Sequence, residues 1–352
     1  MTDQFSSPAH ASTSALSGVG ILPSQAIRAL IREGAISAGT PFAQDQVQPA
    51  SLDLRLGERA WRVRASFLPG LRRTVMERLE DVSMHRLDLT QGAVLERGCV
   101  YIVELLERVR LPPGVSARAN PKSSTGRIDV FVRLLTDHGA QFDDVSEGYD
   151  GPLYLEIAPQ TFSILARTGT RLNQLRLKMG EPPHLGSPLS VGVDLTGDLA
   201  GFRARRHCGV IDLDQEDGHD PRDFWEPLEP RRGELLLDPG EFYILASKHA
   251  IEIPSLQAAE MTPIDPSVGE FRVHYAGFFD PGFGTEEAGA TGSRAVLEVR
   301  SHETPFLLED GQTVARLVFE PLTARPERLY GEDGSHYQRQ GLKLSKHFKA
   351  WP

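Results

Sequence analysis

The chain has 352 residues, enough for two domains of ordinary size, and 40% of them are hydrophobic and 24% charged. A formal charge of −10 at pH 7 makes the surface repel nucleic-acid and anionic-lipid phosphates, so an anionic ligand would need a local basic pocket. No run of about 18 apolar residues is present to span a membrane, and two cysteines, Cys99 and Cys208, are too few for a disulfide framework or a thiolate-rich zinc site.

Residues 1–18 are rich in Ser, Ala and Thr. They lack a basic start followed by an apolar run, so they are expected to be a disordered tail on a cytoplasmic protein. Pro23 and Ser24 then open a helix, with Ile27, Leu30 and Ile31 on one face and Gly34 at its stop. From there on, apolar and polar residues alternate over short blocks separated by Gly, Pro or Asp, the period-two pattern of half-buried strands. The expected class is mainly β with one short amino-terminal helix.

The blocks recur. Residues 152–177 lie on residues 294–319 without a gap, so that Leu155 meets Leu297, Glu156 meets Glu298, Gly169 meets Gly311 and Leu175 meets Leu317. At the same spacing Gly98 and Tyr101 fall on Gly240 and Tyr243, and, displaced by a residue or two, the Leu52–Gly57 block resembles Val193–Asp198. Three blocks in one order indicate a tandem duplication. The junction is placed where MGEPPHLGSP breaks every pattern, giving domains 19–183 and 184–352.

The densest polar segment is Asn120–Arg127, NPKSSTGR. A turn with a Lys, two Ser, a Thr and an Arg offers donors suited to a phosphate chain, although a solvated turn would have the same composition. The second copy reads Ile264-Asp265-Pro266-Ser267 at the matching place, without counterparts of Lys122 and Arg127. A turn needed only to join strands would not differ so much in charge, which favours function. Glu156 sits inside an apolar strand, where burial would raise its pKa and let it carry a proton; a solvent-facing strand glutamate reads the same way. Ahead of the two glutamates lie the loops 138–151 and 275–284, each with an aromatic and an Asp before a Gly turn. Residues 334–341, GSHYQRQG, form a polar tail that either is disordered or closes over a ligand.

Together these blocks resemble the dCTP deaminase branch of the trimeric dUTPase-like family. The resemblance rests on Lys122-Ser123-Ser124-Thr125-Gly126-Arg127, on Ala140 to Asp144, on Gly148-Tyr149-Asp150-Gly151, on Glu156, and on the tail His336-Tyr337-Gln338-Arg339-Gln340. It implies two tandem distorted β-barrels of the β-clip type that trimerise or otherwise form a homo-oligomer, and hydrolysis of dCTP to dUTP and ammonia. It implies Glu156 as the general acid/base, Ser123 and the Ala140 carbonyl holding the water, and Arg127 as electrostatic support. Lys122, Ser124, Asp144, Tyr337, Gln340 and His336 would bind the nucleotide. Mg²⁺ would arrive on the triphosphate rather than in a protein cage, with no zinc, since the His-x-Glu and Pro-Cys-x-x-Cys signature of zinc deaminases is absent; dTTP would be an inhibitor.

The second copy keeps Ala276, Asp280 and Glu298 but lacks the Ser/Arg signature, so Asp280 and Glu298 read as a partial site. The signature lies in the first copy and the tail in the second, so a site using both must span copies. The competing activities are dUTP hydrolysis, alone or coupled to deamination, with Asp144 or Asp280 activating water, and nucleotide binding without catalysis.

Overall fold

The computed structural model describes residues 18–264, 271–273, 277–301, 303–332 and 337–352. The early helix spans Ser24–Arg32 and buries Ala26, Ile27 and Leu30. In the first copy, seven strands lie in the order Val130–Thr136, Asp150–Pro159, Val100–Arg110, Leu52–Val63, Arg171–Met179, Val115–Pro121 and Asp144–Val145. The sheet nearly closes on itself as a barrel. The second copy repeats the plan in smaller sheets. One contains Gln257–Pro263 and Thr313–Pro321, another Phe242–Ile251 and Ser293–Ser301, and a ribbon pairs Glu234–Leu237 with Phe306–Glu309. No described helix is long and apolar enough to cross a membrane.

Several strands are apolar on both faces because each face meets a core. In Asp150–Pro159, Leu153, Leu155 and Ile157 point into the barrel, whereas Tyr154 joins an outer cluster with Trp61, Val75, Leu79 and Ile102. That cluster is roofed by a helix the sequence reading missed, Val75–Val82. Its signal was legible as Thr74-x-x-Glu77: the Thr74 hydroxyl accepts from the Glu77 amide at 3.2 Å, and the Glu77 carboxylate accepts from the Thr74 amide at 2.7 Å.

In the second copy the matching strand is Ser293–Ser301. Leu297 and Val299 point into its own core, while Val296 joins the large cluster it shares with the first copy. Around Val296 the seam is aromatic: Phe162 of the first copy packs edge-on against Phe224 and Trp225 at 5.7 and 5.3 Å, and Phe348 lies 5.3 Å from Phe224. A parallel strand pair, Ile164–Ala166 with Ile211–Asp212, also crosses the seam. Equivalent outward faces of the two copies thus meet different neighbours.

Within the first barrel the Glu107 carboxylate, 1% exposed, accepts from Arg55 Nε at 2.7 Å, the Arg55 amide at 2.8 Å and Gln46 Nε2 at 2.8 Å. Removing it leaves a buried guanidinium unpaired. Glu107→Ala should cost about 3 kcal/mol of unfolding free energy in a urea titration.

Candidate active site

The turn Lys122–Arg127 is a single helical turn, Ser123–Gly126, fastened to the strand beside it. The Lys122 amide donates to Leu172 O at 3.0 Å, and the Thr125 hydroxyl donates to the same carbonyl at 2.8 Å. Buried Thr125 therefore anchors the turn and leaves Ser123 at the surface of a cleft. Lys122 forms an ion pair with buried Asp53, and Arg171 pairs with Asp45 at 2.9 Å.

This turn lines a cavity of about 1480 Å³ together with other first-copy segments, including the early helix, Asp53 and Arg171, and with residues of the second copy and the tail. Lys122, Ser123, Ser124 and Arg127 line it from the first copy; Asp280 and Glu298 line it from the second; Tyr337 and Gln340 line it from the tail. The tail binds the turn of its own chain. Arg127 Nη2 donates to Gln340 Oε1 at 2.9 Å, and its Nη1 donates to Lys343 O at 3.0 Å. The Tyr337 ring lies 3.9 Å from the guanidinium carbon, and the Ser345 hydroxyl donates to Ser124 O at 2.8 Å. His347, also on the cavity wall, has its pKa pushed down to about 4, chiefly by burial.

Glu298 is 5% exposed. Burial pushes its pKa up to about 7, against the opposing pull of the Arg127 charge, and the Asp129 carboxylate adds to the rise. Such a carboxyl can both take and give a proton near neutrality.

The sequence placed that role on Glu156, and the structure puts Glu156 elsewhere. It faces outward beside Tyr154, does not line the cavity, and accepts from Arg133 Nε at 3.0 Å and Nη2 at 2.6 Å. Arg133 is sandwiched there by the Phe142 ring at 3.6 Å and also donates to the Ser66 hydroxyl at 2.7 Å. Ala140 and Asp144 stay on that side as well: Ala140 is exposed, and Asp144 accepts from the Ser146 hydroxyl at 3.1 Å. The physical reason is the seam. The outer face of Ser293–Ser301 meets the first copy's turn, whereas the outer face of Asp150–Pro159 meets the helix Val75–Val82 and the loop around Phe142. Of the residues named from sequence, Lys122, Ser123, Ser124, Arg127, Asp280, Glu298, Tyr337 and Gln340 come together, and Glu156, Ala140 and Asp144 do not. His336, Ala276 and the stretch Asp265–Ser267 lie outside the described residues. Sequence reasoning passed over Asp53, Arg171 and Tyr330 as cavity-lining side chains. Asp53 was within reach, since it sits in the Leu52–Gly57 block that the duplication had already singled out.

Among the described residues no group of three or more His, Cys, Asp or Glu is placed to hold a metal ion. A mixed cleft of lysine, serines and arginine facing a protonatable carboxyl suits an anionic ligand and proton transfer to or from it. The fold and this cleft define a nucleotide-processing protein of the dUTPase-like class.

Comparison with known proteins narrows the class. Residues 18–181 match the family model of the 2'-deoxycytidine 5'-triphosphate deaminase N-terminal domain, and residues 166–348 match that of its C-terminal domain. The chain belongs to the dCTP deaminase family. A crystal structure of 2'-deoxycytidine 5'-triphosphate deaminase from Agrobacterium tumefaciens superposes with a TM-score of 0.83 at 52% identity, over 88% of this chain and 99% of that one. A dCTP deaminase of Halorubrum lacusprofundi is 33% identical over 132 residues, 37% of this chain and 62% of that protein's length. A protein of Methanothermobacter thermautotrophicus named dCTP deaminase, dUMP-forming, is 28% identical over 158 residues, 44% of this chain and 74% of that protein.

The raised pKa of Glu298 has a consequence for stability. The folded protein holds this proton more tightly than the unfolded chain, whose glutamate titrates near 4.5, so stability from this group is lost as pH rises toward about 7. Glu298→Gln removes the loss. The variant's melting temperature relative to wild type should therefore rise between about pH 5 and about pH 8.

Proposed function

We propose that this chain deaminates dCTP to dUTP and ammonia at a site assembled from both copies, with Glu298 rather than Glu156 as the general acid/base. The observation that carries this reading is the burial of Glu298, at a pKa of about 7, in the cavity lined by Ser123 and Arg127. Glu298 removes a proton from water as its oxygen bonds to C4 of cytosine, and delivers that proton to N3. It then takes the remaining hydroxyl proton and gives it to the amino nitrogen, so that the C4–N bond breaks and ammonia leaves. The Ser123 hydroxyl orients the water. Arg127 favours the ionised form of Glu298, and its stacking on Tyr337 and bond to Gln340 tie the closing tail to the reacting centre.

Lys122, Ser124, Tyr337, Gln340 and His336 are assigned to the triphosphate, and Asp280 to the sugar. Mg²⁺ carried by the triphosphate, rather than held by protein side chains, would neutralise part of its charge. dTTP, which shares the sugar and triphosphate but has no 4-amino group, would compete for the same walls. A homo-oligomer, favoured as a trimer, in the cytoplasm completes the proposal. No geometry favours a second, phosphate-cleaving activity: Asp144 lies off the cavity and Asp280 is tied to a buried arginine at 3.3 Å.

Glu298→Gln should lower kcat about a thousandfold, measured as ammonia release from dCTP, while Glu156→Gln stays within about threefold of wild type. Loss of turnover in Glu156→Gln with activity retained in Glu298→Gln would reverse the assignment. Ion-exchange separation of the products should show dUTP accumulating, without dUMP.

A further inference from the structure

Arg176 lies on the first copy's strand Arg171–Met179, yet its side chain crosses into the second copy. It is 2% exposed. Nη1 donates to Ala259 O at 3.0 Å, and Nη2 donates to Phe279 O at 3.2 Å and to Asp280 Oδ1 at 3.3 Å. Its guanidinium carbon stands 3.9 Å from the centre of the Phe278 ring. One buried cation thus touches three consecutive residues of the loop that borders the cavity.

The duplication shows that the strand itself does not require this residue. In the gapless overlay that puts Leu175 on Leu317, Arg176 falls on Val318. Burying a guanidinium is costly unless it is paired and hydrogen-bonded, so an arginine here where the other copy manages with valine points to what it holds. What it holds is Asp280, itself 7% exposed and on the cavity wall. Burial pushes the Asp280 carboxyl toward its protonated form and Arg176 opposes that, while Asp53 and Lys122 act from across the cleft.

A carboxylate in this cavity needs a donor from the ligand. dCTP has two donor groups away from its phosphates, the 4-amino group and the 3′-hydroxyl, and a carboxylate repels the phosphates. Glu298 serves the amino end, which leaves the 3′-hydroxyl for Asp280. Resting on the reading that dCTP occupies this cavity, we infer that Arg176 is a positioning residue for substrate recognition, aiming the Asp280 carboxylate at the 3′-hydroxyl and fixing Phe278 beside it.

The test compares Arg176→Gln with wild type on dCTP and on 2′,3′-dideoxycytidine triphosphate, which lacks that hydroxyl. Wild type should favour dCTP through KM. Arg176→Gln should lose about tenfold or more in kcat/KM on dCTP, carried by KM, and about threefold or less on the dideoxy substrate. Asp280→Asn should give the same pattern, and adding Arg176→Gln to it should not change the ratio between substrates further. Equal losses on both substrates, or a wild type indifferent to the hydroxyl, overturn the inference. If Arg176→Gln does not fold, Arg176→Lys, which keeps the charge but reaches fewer of the three oxygens, must show the same substrate-dependent loss; an equal loss overturns it. Absence of ammonia release from dCTP by the wild type would instead overturn the underlying functional reading.

Discussion

Everything in the site follows from a head-to-tail contact between two similar barrels. The outer face of one copy's strand, Ser293–Ser301, lies against the other copy's turn, Ser123–Gly126. Such a contact is heterologous: the two partners present different patches, so each copy offers one patch to its neighbour and has another left over. With two copies in one chain, only one pairing of strand and turn is satisfied internally. Glu298 and the basic turn then come from opposite halves, and burial at the seam between them pushes the Glu298 pKa up to about 7.

The leftover face is managed by local structure. The outer side of Asp150–Pro159 is roofed by Val75–Val82, and its glutamate is answered by Arg133, clamped by Phe142. The same strand position therefore holds two different glutamates. Glu298 meets Arg127 across a seam and opens on a cavity. Glu156 meets an arginine of its own sheet at 2.6 Å and is covered. Sequence neighbours of the two residues are nearly alike, and the difference is made by what packs on top.

That distinction marks the limit of what could be read from the sequence. Alternation and the repeat gave the strands, the duplication and the early helix, because burial of a pleated face leaves a local period-two trace. Lys122–Arg127, Asp280 and Glu298, which the structure places on one cavity, could be singled out because their composition departs from strand pattern, or because the two copies could be compared. Which of Glu156 and Glu298 faces the cavity was not legible: it depends on which outer face finds a neighbour, a property of docking rather than of either segment. The helix Val75–Val82 was missed although its capping box was on view, since eight residues give too few apolar repeats to set the period. Arg176 has nothing in the sequence to set it apart from other polar strand residues; its contacts across the seam do that.

The mismatch between the copies has a consequence for how the protein can be divided. The Ser/Arg turn of the first copy has no counterpart in the second, and the first copy's own glutamate is capped. Each half therefore carries only part of the cavity lining. A cut between Met179 and Leu189, where one set of strands ends and the next begins, would leave Ser123 and Arg127 on one piece and Glu298 and the tail on the other. On the proposed assignment, neither piece alone would carry the whole reacting centre.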